Sequence, residues 1–293
     1  MARFTFSAFA DEAGDSLAEQ LKALKDNGIN YIEPRKINGK GILALTEDEL
    51  YEIKAELDKN GIKVNSLGSP IGKYDIDAPL EEHLSDLKKA FTACKILGTD
   101  KIRMFSFFVP KERLTECRDE VIRRLTVMAD MAEAEGITLC HENDSKIYGE
   151  MPREVLDILT SVPKLGAIFD PANYRMNDAD VIAGINATFT NLAYLHIKDA
   201  IYDSQTIVPA GEGEGRIAEI IDMVDAHTDS LVYLTLEPHL HIFGAYKDID
   251  EHELKGKYKF STNREAFDFA VNALEALLKK NGYVKDENAV WKK

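Results

Sequence analysis

The chain has 293 residues, enough for two average domains or one large α/β barrel, and no Pro-, Ser- or Gly-rich linker divides it. A net charge of −15 argues against a nucleic-acid partner, which asks for a basic surface, and against an anionic membrane. Cys94, Cys117 and Cys140 read as buried free thiols, MARFTFSAFADEA is unlike a secretory signal, and no run approaches the roughly 18 apolar residues of a membrane span, so a soluble, cytoplasmic protein is expected.

Residues 4–9 alternate like a first strand, and GDSLAEQLKALKDN (14–27) has helical apolar spacing that stops at Gly28. INYIEP (29–34) is a second strand and TEDELYEIKAELDKNG (46–61) a second helix, with Thr46 as N-cap and Glu49 at the capping-box position. IKVNSLGS (62–69) and DKIRMFSFF (100–108) read as strands three and four, followed by helices over 79–97 and 112–135. Four further apolar runs, ITLCHEN, LGAIFDP, LAYLHIKD and VYLTLEPH, alternate with helices expected at 152–160, 178–187, 216–226 and 263–280. Eight consecutive strand–helix units predict a (β/α)8 TIM barrel in a single domain, 1–293, with 282–293 as a mobile tail. A doubly wound sheet is the rival, but GEGEG (211–215) lies well past the end of its strand, where a dinucleotide fingerprint does not sit. This stretch reads instead as a mobile loop leading into helix seven.

Each of the last four strands ends on a potential metal ligand: Glu142, Asp170, His196 and Glu237. Within each run the ligand shares parity with residues two positions apart, while Leu139, Phe169, Leu195, Leu234 and Leu236 take the other face and want helices. Three carboxylates and an imidazole meeting at the same ends of neighbouring strands repel one another unless a cation lies between them, and a divalent ion is the natural candidate. Other polar residues crowd the same ends. Lys198 shares parity with His196 and can hydrogen-bond a substrate oxygen or pair with an acid; Asn143 and Lys146 read as sugar contacts or as loop polarity. His141 has the opposite parity and reads as structural, His239 and His241 flank the exit of strand eight, where one of them, His239 as the candidate substrate contact, can reach the site from the rim, and Arg35 and Arg103 suit either a substrate anion or an internal ion pair. Glu33 is an inward carboxylate with no evident partner. The 25-residue segment PHLHIFGAYKDIDEHELKGKYKFST (238–262) is too long for a casual barrel loop and reads as an aromatic-rich lid over the site, the alternative being a subunit contact in a homo-oligomer.

The ordered set HEND, FDPANY, HIKDA and LEPH resembles the xylose-isomerase-like TIM-barrel superfamily of sugar and sugar-phosphate isomerases and epimerases, over about residues 3–281. The resemblance implies one divalent metal, Mn foremost with Mg, Co or Zn as alternatives, on Glu142, Asp170, His196 and Glu237. It also implies a carbohydrate substrate held between Glu142 and Glu237 as an acid–base pair that works through a metal-stabilised enediolate. A lyase, dehydrating a keto-inositol or eliminating from a 3-keto glycoside, begins with the same proton abstraction, and a non-catalytic sugar-binding barrel is a third class. The DNA-repair endonucleases on this barrel carry extra histidines that NSLGSP, Asp170-Pro-Ala-Asn173 and IYDSQTIVP lack, so one metal is expected instead of three. Asn173 replaces a histidine that contacts substrate in some sugar epimerases and is itself read as a candidate substrate contact.

Overall fold

The computed structural model describes residues 1–243 and 257–293. Eight parallel strands form its axis: β1 (Arg3–Ala8), β2 (Tyr31–Ile32), β3 (Lys63–Val64), β4 (Lys101–Met104), β5 (Thr138–Glu142), β6 (Gly166–Phe169), β7 (Leu192–Ile197) and β8 (Leu231–Leu236). Strand β8 pairs with both β7 and β1, and β4 to β7 pair in chain order, so the sheet turns back on itself. The circle closes through β2 and β3, whose regular pairing is only two residues long. Regular pairing of β2 stops at Ile32, and beyond the two short strands the ladder continues as single contacts: Glu33 N–H donates to Ala8 C=O (3.0 Å), and Leu67 bridges Ile102. The barrel expected from the sequence is therefore the one observed, with strands two to four shorter than their apolar runs.

Helices α1 (Leu17–Asp26), α2 (Glu47–Lys59), α3 (Leu80–Leu97), α4 (Leu114–Ala134), α5 (Pro152–Ser161), α6 (Val181–Thr188), α7 (Ile217–His227) and α8 (Asn263–Lys280) alternate with the strands. Ser16 with Glu19 and Thr46 with Glu49 close full capping boxes on α1 and α2. A short helix, Pro171–Met176, precedes α6, with Asp170 as its N-cap and Pro171 in its first turn; the sequence reading missed it, although an Asp–Pro pair at a strand end is a helix-start signal. The outward parity of the strands (Phe4, Phe6, Leu139, Phe169, Leu195, Leu234) packs into one large core with the helices. Cys140, Ile168 and Tyr194 form a separate small cluster on the inward parity. All three cysteines are free and buried, as expected. Among the described residues no helix is long and apolar enough to cross a membrane.

The C-terminal tail departs from expectation. Val284–Lys285 and Val290–Lys292 form β9 and β10, and β10 runs antiparallel to β1, opposite Phe4 and Thr5. Trp291 is fully buried and stacks on Phe6 at 5.7 Å. A Trp eleven residues past the end of helical periodicity carries no repeating signal, so its docking partner, some 285 positions upstream, is invisible from the local pattern. Replacing Trp291 by Ala is expected to cost about 3–5 kcal/mol of stability, the range for a buried Trp in a packed core, as read by denaturant unfolding. A loss below about 1 kcal/mol would show that the tail does not brace β1.

Candidate metal centre

Strand geometry brings the four sequence-nominated ligands together. Glu142 ends β5, His196 lies near the end of β7, and Asp170 and Glu237 directly follow β6 and β8. All four side chains are buried, and one donor atom from each lies within 4.8 Å of the others. His196 Nδ1 is 2.8 Å from Glu142 Oε1 and 3.3 Å from Glu237 Oε2. Lys198 Nζ, two residues on and on the same face, is 3.1 Å from Asp170 Oδ2 and 3.6 Å from Glu237 Oε2. Two like charges 4 Å apart repel by about 4 kcal/mol at an effective dielectric of about 20, so three buried carboxylates need the positive charge around them.

The electrostatics show that need. Burial pushes the Asp170 carboxyl up to about 6 even though Lys198 pulls it down. Burial acts the same way on Glu237, but Lys198, His196 and His239 together hold it well below the usual carboxylate range. The His196 imidazole, which burial alone would keep neutral, is driven well above its ordinary pKa by Glu142 and Glu33. Asp170 Oδ2 and Glu237 Oε2 are buried, yet neither accepts a hydrogen bond; their nitrogen neighbours approach without hydrogen-bond geometry. Carboxylate oxygens left this way beside a glutamate oxygen and an imidazole nitrogen are the hard and borderline donor set that a divalent ion takes.

The rest of each glutamate is held from behind. Arg35 Nη1 donates to Glu237 Oε1 at 3.0 Å and also grips Asp11 through Nε (3.1 Å) and Nη2 (3.2 Å). Arg103 Nη1 donates to Glu142 Oε2 at 3.3 Å. Both guanidiniums lie over the Phe9 ring, at 4.3 and 4.8 Å from its centre. Both arginines thus make internal ion pairs with carboxylates of the cluster or beside it. His239 joins the site, its Nε2 3.3 Å from Glu237 Oε1, whereas His241 turns its Nδ1 to the Ile242 carbonyl. Asn143 donates to the Asp170 carbonyl (2.9 Å) and accepts from its N–H (3.0 Å), and Asn173 donates to the Asn143 carbonyl (2.9 Å). Both asparagines thus brace the Asp170 turn, a role the sequence reading, which offered them as sugar contacts, did not foresee. Lys146 adopts a left-handed backbone (φ 66°) and its N–H donates to Glu150, folding the loop after β5. His141 meets Ser106 Oγ at 3.0 Å on the outer side of β5, as its parity implied.

Several participants escaped the sequence reading. Asp11 and Glu12, in a single 3-10 turn after β1, are buried against Arg35, and burial lifts Glu12 to about 7 despite His239 and Arg35. Glu33 finds two partners, Tyr194 and His196. The GEGEG loop, expected to be mobile, is pinned: Asp199 accepts from the N–H groups of Gly211 (2.9 Å), Gly213 (3.0 Å) and Gly215 (2.8 Å). A Cβ at Gly213 would lie 2.3 Å from the Asp199 carboxylate, so only glycine permits this approach, directly beside Lys198. The segment nominated as a lid falls largely on residues 244–256, outside the described residues. A cavity of about 380 Å³ lined by Thr5, Tyr31, Lys63 and Asn288 opens at the opposite end of the barrel, where the strands begin.

Solved structures share this architecture at low sequence identity. The probable 3-DHS dehydratase AsbF from Bacillus anthracis superposes with a TM-score of 0.71 at 14% identity, over 92% of this chain and 98% of that one. An IOLI protein with a bound zinc atom gives 0.71 at 16%, over 95% and 99%. D-psicose 3-epimerase from Clostridium cellulolyticum H10, solved with D-tagatose, gives 0.68 at 14%, over 93% and 98%. Among curated proteins, none is similar in sequence to this chain. The family described as xylose isomerase-like TIM barrel matches residues 21–253, and the chain belongs to that family.

Proposed function

We propose that the chain is a divalent-metal-dependent sugar or sugar-phosphate isomerase or epimerase. The observation that supports this most directly is the pairing of Glu142 and Glu237: each turns one oxygen to His196 Nδ1 and the other to an arginine, so both converge on one point. Glu142, Asp170, His196 and Glu237 would hold a divalent ion, Mn favoured with Mg, Co or Zn as alternatives, which would supply a Lewis acid toward a substrate carbonyl. The protein's part is proton transfer. One glutamate takes the proton from the carbon beside the carbonyl and one returns it, on the same or the opposite face of the sugar. Arg35 and Arg103 fix the two carboxylates, and the Lys198 ammonium is placed to donate to an oxygen on which negative charge develops. Likeness in fold to an epimerase and to a zinc-bound barrel is in keeping with this reading.

A lyase is the second reading, favoured by the likeness to a dehydratase, because elimination starts with the same proton abstraction. Incubating the Mn-loaded protein with a panel of keto and aldo sugars in deuterated water separates the two. An isomerase or epimerase leaves an isomeric product one mass unit heavier, with deuterium at the abstracted position, and a lyase gives a product lighter by the eliminated group. Neither deuterium uptake nor product with any of the panel would point to a sugar-binding barrel and overturn the proposal.

A further inference from the structure

Glu33 is fully buried on the inward face just past β2, its backbone N–H tied to Ala8 of β1. An isolated carboxylate there would be costly, and its two oxygens have separate partners. Tyr194 donates its hydroxyl to Oε1 at 2.8 Å, and His196 Nε2 lies 3.3 Å from Oε2. The other ring nitrogen of His196, Nδ1, is the one that meets Glu142 and joins the four-donor cluster. The ring edge is packed as well, with Phe9 at 5.1 Å in a T-shaped arrangement. Both nitrogens and one flank of the imidazole are therefore fixed.

We propose that Glu33, itself steadied by Tyr194, is the positioning residue that keeps the His196 proton on Nε2 and leaves the Nδ1 lone pair facing the ion; this rests on the reading that the four-residue cluster binds a metal. The physical reason is tautomeric. A neutral imidazole ligates only through the nitrogen without a proton, and the hydrogen bond made by the other nitrogen decides which one that is. Without a carboxylate at Nε2, the proton can sit on Nδ1 and be shared with Glu142 at 2.8 Å, an arrangement that competes with the ion.

The test measures Mn and Zn dissociation constants by chelator competition for the wild type, Glu33→Gln and Tyr194→Phe, with the thermal midpoint of each metal-free protein as the control for folding. Loss of a hydrogen-bonding partner behind a metal-bound histidine typically weakens binding about 10–100-fold. Glu33→Gln is expected in that range and Tyr194→Phe to shift in the same direction by less, with metal-free midpoints close to wild type. The zinc-loaded wild type should also show a slowly exchanging His196 Nε2–H resonance that moves in Glu33→Gln. Dissociation constants within twofold of wild type in both variants would overturn the proposal. If both variants fail to fold, the wild-type resonance decides: a zinc-loaded protein whose His196 proton is on Nδ1 or exchanges freely overturns it. A wild type that takes up no metal overturns the underlying reading, and this inference with it.

Discussion

Glu237→Gln and Glu142→Gln, each assayed at saturating Mn, are expected to lose turnover by about 10²-fold or more, the loss that follows removal of a general acid–base group. Glutamine keeps an oxygen that can face the ion and an amide that fills the same volume, so the barrel should remain folded. What it cannot do is accept a proton from carbon. The backing arginines sharpen the contrast: Arg35 and Arg103 each hold the second oxygen of one of these residues. After substitution an amide N–H can face a guanidinium, which weakens positioning as well as basicity. The readout is deuterium incorporation from solvent alongside product formation, because it reports the proton step by itself. Substantial activity in both variants at saturating metal would rule out this pair as the acid and base.

Asp170→Asn is expected to weaken metal binding by about 10²-fold or more, exceeding the loss typical of outer-shell changes. The local geometry makes this substitution clean. Asp170 Oδ1 accepts from the Asn173 N–H at 3.0 Å and so caps the short helix Pro171–Met176, while Oδ2 faces the cluster. Asparagine keeps the cap by placing its oxygen where Oδ1 was, and this turns its NH2 group toward the ion and toward Lys198. A donor then replaces an acceptor at one of four ligand positions, with the helix start preserved. Far-UV circular dichroism should be unchanged, and isothermal titration with Mn should show the loss. An affinity within tenfold of wild type would mean that Asp170 does not ligate.

The four clustered residues Glu142, Asp170, His196 and Glu237 were legible as a group because two independent signals coincided at each of them, a period-2 apolar run and a polar residue at its end. That pattern also carried the barrel, since each run pairs in parallel with its neighbours, with one register shift at Ala167/Ile168. What stayed hidden has no period. Asp11 and Glu12 lie past the end of β1, in a 3-10 turn where strand parity no longer says which way a side chain points. The Glu33–His196 contact joins residues 163 positions apart, and nothing local to either names the other. Asp199 is held by backbone N–H groups, so the only trace of that contact in sequence is the three glycines themselves, and these are equally what an unattached loop would show. Asn143 and Asn173 illustrate the same limit from the other side. Nothing local to either asparagine announces the main-chain hydrogen bonds with which they brace the Asp170 turn.

One divalent ion shared by Glu142, Asp170, His196 and Glu237 underlies the proposed chemistry. Stripping the protein with a chelator, reloading it with Mn, Zn or Mg, removing excess and measuring metal per chain tests this most directly. One shared ion predicts about one equivalent for the wild type, with Asp170→Asn falling well short under the same conditions. Three equivalents would indicate a polynuclear centre, and none would mean that the four buried side chains form only an ion-pair network; either result contradicts the account.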